Sequence, residues 1–315
     1  MGGYLRKTIR GLLWFAAGAI FGIAVQKAHI PGMFARLIGT TFQLSSRSMS
    51  TPGFTSVSRL TDIPAEFHGK LSLYVLAGQS NMVGNGPLPP VQQLDSSIFV
   101  FGNDYRWRIA SEPLDAPDGQ VDEVSLDENA KFGPGLAFAI SMRQHNPEAV
   151  IGLIPCAKGA SSIQEWQRNL SDRTLYGACL KRIRAATPMG AVEGLLFFQG
   201  EADATAPHVY PDKLLSTSTY ATKFSTFIAD LRDDVSLPKL PVVFAQIGTH
   251  TAPQYFVNWN TIKEHQNTSN IACTAMITTD DLALRDDVHF TTESYQVIGE
   301  RYAEALVHLL SRPCK

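Results

Sequence analysis

No aspartate or glutamate occurs between Met1 and Thr61, although Arg6, Lys7, Arg10, Lys27, Arg36, Arg47 and Arg59 do. A leader without acid but with arginine and serine has the composition of an addressing or linking segment, not of a catalytic core. Cysteine is scarce. Cys156, Cys179, Cys273 and Cys314 form no CxxC pair and no His/Cys group at metal-ligand spacing, which argues against structural zinc. An even number permits disulfides in an oxidising compartment, but the spacing fixes no pairing. Charge of one sign is also missing: the formal net charge is −2 and no basic stripe crosses the body of the chain, which excludes a nucleic-acid surface as the main feature. There is no internal repeat.

What is present is 44% hydrophobic residues against 18% charged ones, enough to bury one large core. The chain divides into a targeting segment over residues 1–30, a Ser/Thr-rich linker over 31–66 and one domain over 67–315. Gly11 to Val25 carries no charge and follows three basic residues, the arrangement of a signal peptide or signal anchor. It is shorter than the roughly 20 residues that span a bilayer. Gly22 and Ala24 suit a cleavage site, whereas Lys27 and His29 supply the second polar flank of an anchor, the reading we favour. The expectation is a single-pass membrane or secreted protein with its domain outside the cytosol; the alternative is organelle import through a transit peptide. Two glycosylation sequons begin at Asn169 and Asn267 and have meaning only in a secretory pathway. Oligomeric state has no signal here.

From Leu71 onward, apolar runs alternate with segments of helical periodicity, the pattern of a parallel sheet covered on both faces. Strands are expected at Leu71–Ala77, Val150–Pro155, Gly194–Gln199, Val242–Ile247 and Ala272–Thr278, and helices at Gly135–His145, Asp172–Ala186, Tyr220–Asp233 and Thr292–Leu310. This predicts an α/β fold, a three-layer αβα sandwich around a five-stranded parallel sheet of the flavodoxin kind. The acidic stretch from Pro87 to Pro134 has little regular pattern and is expected to pack over the mouth of a site.

Each strand ends in polar or glycine-rich residues. Ser80 follows the first, Lys158-Gly159-Ala160 the second, Gln199-Gly200-Glu201 the third and Asp286-Asp287-Val288-His289 the last. In a parallel sheet these converge on one edge, where open α/β sheets place their ligands. Acyl transfer needs a nucleophile, a base, a group that orients the base and donors for the oxyanion. Ser80, His289 and Asp286 supply the first three, with Asp287 as the rival carboxylate and Ser161 or Ser162 as reserve nucleophiles. Ser80 lacks the G-x-S-x-G elbow, since Met82 stands where glycine belongs, which disfavours an ordinary α/β-hydrolase.

The blocks "GQSNM", "PCAKGASSIQEW", "FFQGEADA" and "DDVHFTTESYQVIG" resemble the four blocks of the SGNH hydrolases in carbohydrate esterase family 6 and the related sialate O-acetylesterase domain. The likeness is closest to the plant acetylxylan-esterase-like members and covers about Leu71 to Leu310. It implies removal of O-acetyl groups from a carbohydrate, with an acetylated sugar as the partner and no metal or cofactor. It also implies catalysis by Ser80, Asp286 and His289, and an oxyanion hole from the Ser80 N–H, the Gly159 N–H and the Gln199 amide. Glu201, Gln79 and Asn81 would support that site from behind.

Two departures stand out. Ala160 replaces the second glycine of the family's usual Gly-Gly pair, and Phe197-Phe198 replaces an aromatic-His or aromatic-Tyr pair. Plainer uses compete for each residue: Ser80 as a helix cap, Gln199 and Glu201 as partners of buried backbone, and Trp166 and Trp259 as core instead of sugar-stacking platforms. Two other functions also compete, a lipid or small-ester hydrolase on the same scaffold and a non-catalytic glycan-binding relative.

Overall fold

The computed structural model describes residues 63–312. The targeting segment, the linker up to residue 62 and Cys314 lie outside the described residues. Among the described residues no helix is long and apolar enough to cross a membrane.

Thirteen principal elements follow one another: β1 (Leu71–Gly78), α1 (Ser80–Val83), β2 (Ile98–Phe101), β3 (Trp107–Ile109), α2 (Pro134–His145), β4 (Ile151–Pro155), α3 (Leu175–Ala186), β5 (Gly190–Phe198), α4 (Tyr220–Asp234), β6 (Val242–Ala245), α5 (Trp259–Asn267), β7 (Thr274–Ile277) and α6 (Thr292–Leu310). They form one seven-stranded sheet of order β3-β2-β4-β1-β5-β6-β7, parallel except for the antiparallel β2–β3 pair. Five parallel strands were expected. The two additional strands come from the Pro87–Pro134 insertion, where runs of four and three residues are too short to show a period above the acidic background.

Alternation along β1 shows why the sheet is covered on both sides. Leu73, Val75 and Ala77 point into a core shared with α3, α4 and α5, while Tyr74 and Leu76 point into a second core beneath α2 and α6. Burying each large aliphatic side chain of these layers is worth about 1.5–3 kcal/mol. Trp166 and Trp259 belong to the first core, with indole N–H groups donating to Ser161 Oγ (3.0 Å) and Gly248 O (2.8 Å), so neither is a sugar platform.

The strand order reverses at β1, which lies between β4 and β5. That is the topological switch point, and a crevice opens beyond the carboxyl ends of these strands. Gly78 ends β1 at φ 131°, and a methyl there would lie 2.1 Å from Phe198 O of β5. Only glycine allows this approach, through which the Gln79 N–H donates to Phe198 O at 2.7 Å. A Cys156–Cys179 disulfide ties the end of β4 to α3, with Cα atoms 5.3 Å apart. Closing a loop of that length stabilises the fold by about 3 kcal/mol in the chain-entropy account.

The insertion also buries Glu112, one of whose carboxyl oxygens has no partner. Burial pushes its pKa from 4.5 up to about 8, against the lowering effect of nearby backbone N–H groups. Between these values the unfolded chain releases a proton that the folded one keeps, so this group's contribution to stability is present below pH 4.5 and lost as pH rises to about 8. Glu112→Gln is therefore expected to flatten the fall of Tm between pH 5 and pH 8 and to stabilise the protein most at the upper end. Parallel Tm profiles for the two proteins would show that the carboxyl is ionised when folded.

Candidate active site

Ser80 is the first residue of α1 and stands directly beyond β1. Its hydroxyl caps nothing; Oγ lies 2.8 Å from His289 Nε2. The other imidazole nitrogen, Nδ1, lies 2.9 Å and 3.0 Å from the two oxygens of Asp286. The local chain explains how three residues suffice for that reach. Asp286 Oδ1 also accepts from the backbone N–H groups of Val288 (3.1 Å) and His289 (2.9 Å), folding the segment back on its carboxylate. An Arg285 N–H bond to His289 O at 2.8 Å closes the turn, and Thr291 immediately beyond caps α6.

Partial burial raises the Asp286 pKa, but the hydrogen bond and charge of His289 and the two backbone donors outweigh it and hold the group at about 2. It is an anion at every pH where an imidazole exchanges its proton. Asp287, the rival, turns away: its Oδ1 accepts from the Thr251 hydroxyl at 2.5 Å.

Behind the serine, Asn81 joins three parts of the site. Its amide donates to Glu201 Oε1 (2.6 Å) and Val288 O (3.1 Å), and its oxygen accepts from the Tyr295 hydroxyl (2.7 Å). The histidine turn is thus fastened to the residue next to Ser80. Burial raises the Glu201 pKa, opposed by the Asn81 hydrogen bond. Gln79 Oε1 accepts from the backbone of Gly200 (3.3 Å) and Ala202 (3.2 Å), tying α1 to the end of β5.

The expected oxyanion donors divide. The Ser80 N–H has no acceptor among the described residues. Gly159 lines the same open cavity as Ser80, about 330 Å³ in volume, but its N–H donates to Asp127 Oδ2 at 2.8 Å. Gln199 requires a correction. It is fully buried, and its amide hydrogens go to Asp203 Oδ2 (2.8 Å) and Ser161 O (3.0 Å) under the cavity floor. A side chain pinned by a buried carboxylate has no hydrogen left for an oxyanion. Ala160 sits at φ 57°, so the methyl that replaces glycine costs about 1 kcal/mol of backbone strain without undoing the turn.

The insertion does pack at the mouth, where it supplies Asp127 and Asn129; Asn85, Tyr210 and Phe256 complete parts of the wall. None of these was anticipated individually. Asp127 belongs to the long acidic insertion, whereas Tyr210 and Phe256 carry no sequence signal. Among the described residues no group of three or more His, Cys, Asp or Glu side chains could hold a metal ion.

Fold and site together define a three-layer α/β protein with serine, imidazole and carboxylate at hydrogen-bond distance beyond the carboxyl edge of the sheet. Residues 70–308 match the family model described as carbohydrate esterase, sialic acid-specific acetylesterase, and the chain belongs to that family. It is a carboxylic ester hydrolase. A relative named a probable carbohydrate esterase of Arabidopsis thaliana is 31% identical over 274 residues, spanning 81% of this chain and 95% of the relative. The X-ray structure from the same Arabidopsis locus is 28% identical, covers 76% of this chain and 99% of that one, and superposes with a TM-score of 0.65. A carbohydrate acetylesterase from Xanthomonas citri, at 20% identity and a TM-score of 0.58, shares the fold over 76% of this chain and 56% of its own.

Proposed function

We propose that the protein removes O-acetyl groups from a carbohydrate through a covalent acetyl-enzyme on Ser80. The observation that carries this reading is the unbroken line from Ser80 Oγ through His289 to Asp286, each step at hydrogen-bond distance. His289 Nε2 takes the Ser80 proton as Oγ attacks the acetyl carbon, and the Asp286 anion stabilises the imidazolium that forms. The Ser80 and Gly159 N–H groups receive the developing oxyanion. On collapse the C–O bond to the sugar breaks, and His289 returns the proton to the departing alkoxide. Water deprotonated by the same imidazole then attacks the acetyl carbon, releasing acetate and free Ser80.

Membership of a carbohydrate esterase family, and the Asp127, Asn129 and Asn85 side chains in the cavity wall, support a carbohydrate ester over a lipid. The test is acetate release from acetylated xylan, acetylated pectin, O-acetyl sialic acid and a simple aryl acetate, beside hydrolysis of the aryl ester of a long-chain fatty acid. Release from at least one carbohydrate, at a higher kcat/KM than from long-chain acyl esters, is expected. Preference for long acyl chains, or no turnover of any ester by folded protein, would sink the proposal.

A further inference from the structure

Asp127 is the one carboxylate that the insertion places on the donor set of the reaction. Its Oδ2 accepts the Gly159 N–H at 2.8 Å and its Oδ1 accepts the Asn129 N–H at 3.1 Å. A methyl built on Gly159 would lie 2.5 Å from Asp127 Oδ2 and 3.9 Å from Ser80 Cβ, so the carboxylate reaches the immediate surroundings of the nucleophile. Its position is built into the fold. Arg182 of α3, fully buried, binds Asp122 at 2.5 Å and the Ser125 hydroxyl at 3.3 Å, and the Lys158 ammonium donates to Leu126 O. The segment leading to Asp127 is therefore fastened by Arg182 and Lys158.

An ester carbonyl that uses the Gly159 N–H must first take it from this carboxylate. Losing a charge-assisted hydrogen bond lowers reactivity about 10- to 100-fold unless the substrate offers the carboxylate another donor. A hydroxyl next to the ester does so; an aryl acetate has none. A second negative charge on the substrate would meet Asp127 unfavourably. Resting on the esterase reading above, we infer that Asp127 is a specificity-determining residue that selects acetate esters of neutral, polyhydroxylated alcohols, exchanging the Gly159 N–H for a neighbouring substrate hydroxyl.

The experiment compares wild type, Asp127→Ala and Asp127→Asn on p-nitrophenyl acetate, a monoacetylated methyl xyloside and O-acetyl sialic acid. Asp127→Ala is expected to raise kcat/KM about tenfold or more on the aryl acetate and to lower it about tenfold on the xyloside. Asp127→Asn keeps an acceptor for Gly159 but loses the charge, so its gain should be largest on the sugar acid, relative to the xyloside. Melting temperature monitors folding of both variants. Rates that change by a common factor on the aryl acetate and the xyloside, or do not change, overturn the assignment and leave Asp127 a loop-fastening residue. Wild-type protein that hydrolyses none of the three overturns the esterase reading itself, a result separable from the first because it appears before any substitution is made.

Discussion

Ser80→Ala is expected to lower kcat for an aryl acetate by about 10⁴ to 10⁶ while leaving the melting temperature nearly unchanged. The size follows from the reaction proposed: without Oγ no acetyl-enzyme forms, and what remains is binding and oxyanion stabilisation of a direct attack by water. The fold should be indifferent because Ser80 Oγ holds no part of it together; its hydrogen-bond partner is His289 Nε2. The bonds that fasten this corner run through Gln79 and Asn81 instead. Initial rates and intact-mass detection of the acetyl or phosphonyl adduct read the result. A variant that keeps more than about a tenth of the wild-type rate would remove Ser80 from the reaction. Ser161 and Ser162 are poor substitutes, being fully buried with hydroxyls directed to Gly78 O and Glu165.

Asp286→Asn should cost about 10⁴ in kcat, the second largest loss. An asparagine oxygen can still accept the Val288 and His289 backbone N–H groups, so the turn survives. Its NH₂ group, however, can donate to Nδ1 and so favour the tautomer whose proton sits on Nε2, where it cannot take one from Ser80. Because Asp286 itself is held at about 2, protonation of this carboxylate does not shape the kcat/KM profile above about pH 3. Asp287→Asn, whose carboxylate is bonded to Thr251, should leave the rate close to wild type. A crippled Asp287→Asn beside a near-normal Asp286→Asn would reverse the assignment.

The elements legible in the sequence were those with strong, long or punctuated patterns. β1, with apolar residues on both faces, and α6, with its nineteen-residue amphipathic pattern, were read within one residue of their ends. The short strands β2 and β3, of which β3 is the sheet edge, and the nine-residue α5 carry no such pattern. A strand of three or four residues has too few positions to establish a period, and tertiary pairing supplies what the local pattern lacks. α5 stands on just three buried side chains, Trp259, Ile262 and Gln266, separated by a polar face that reads as loop.

For the site, the order of polar residues at strand ends was enough to bring Ser80, Asp286 and His289 together on paper, because a parallel sheet sends every such end to one edge. Chemistry-bearing residue types at those ends are a local property. Whether a donor is free is not. Gln199 stands at the right strand end, yet the burial of Asp203 beneath it consumes its amide, and nothing within a few positions of Gln199 reveals where the chain will place Ser161 O. Gly159 keeps its place in the cavity but shares its N–H with Asp127, thirty-two positions earlier in the chain. The sequence by itself determined the class of fold, the strand that carries the nucleophile and the short segment that sets His289 beside Asp286 and Asp287, since each depends on periodicity or on residues two or three apart. Only the tertiary structure decided which of two carboxylates faces the imidazole, which amide is spent on the interior and which acid of a long insertion reaches the reacting centre, because hydrogen-bond partners are allotted by contacts between segments that no local pattern encodes.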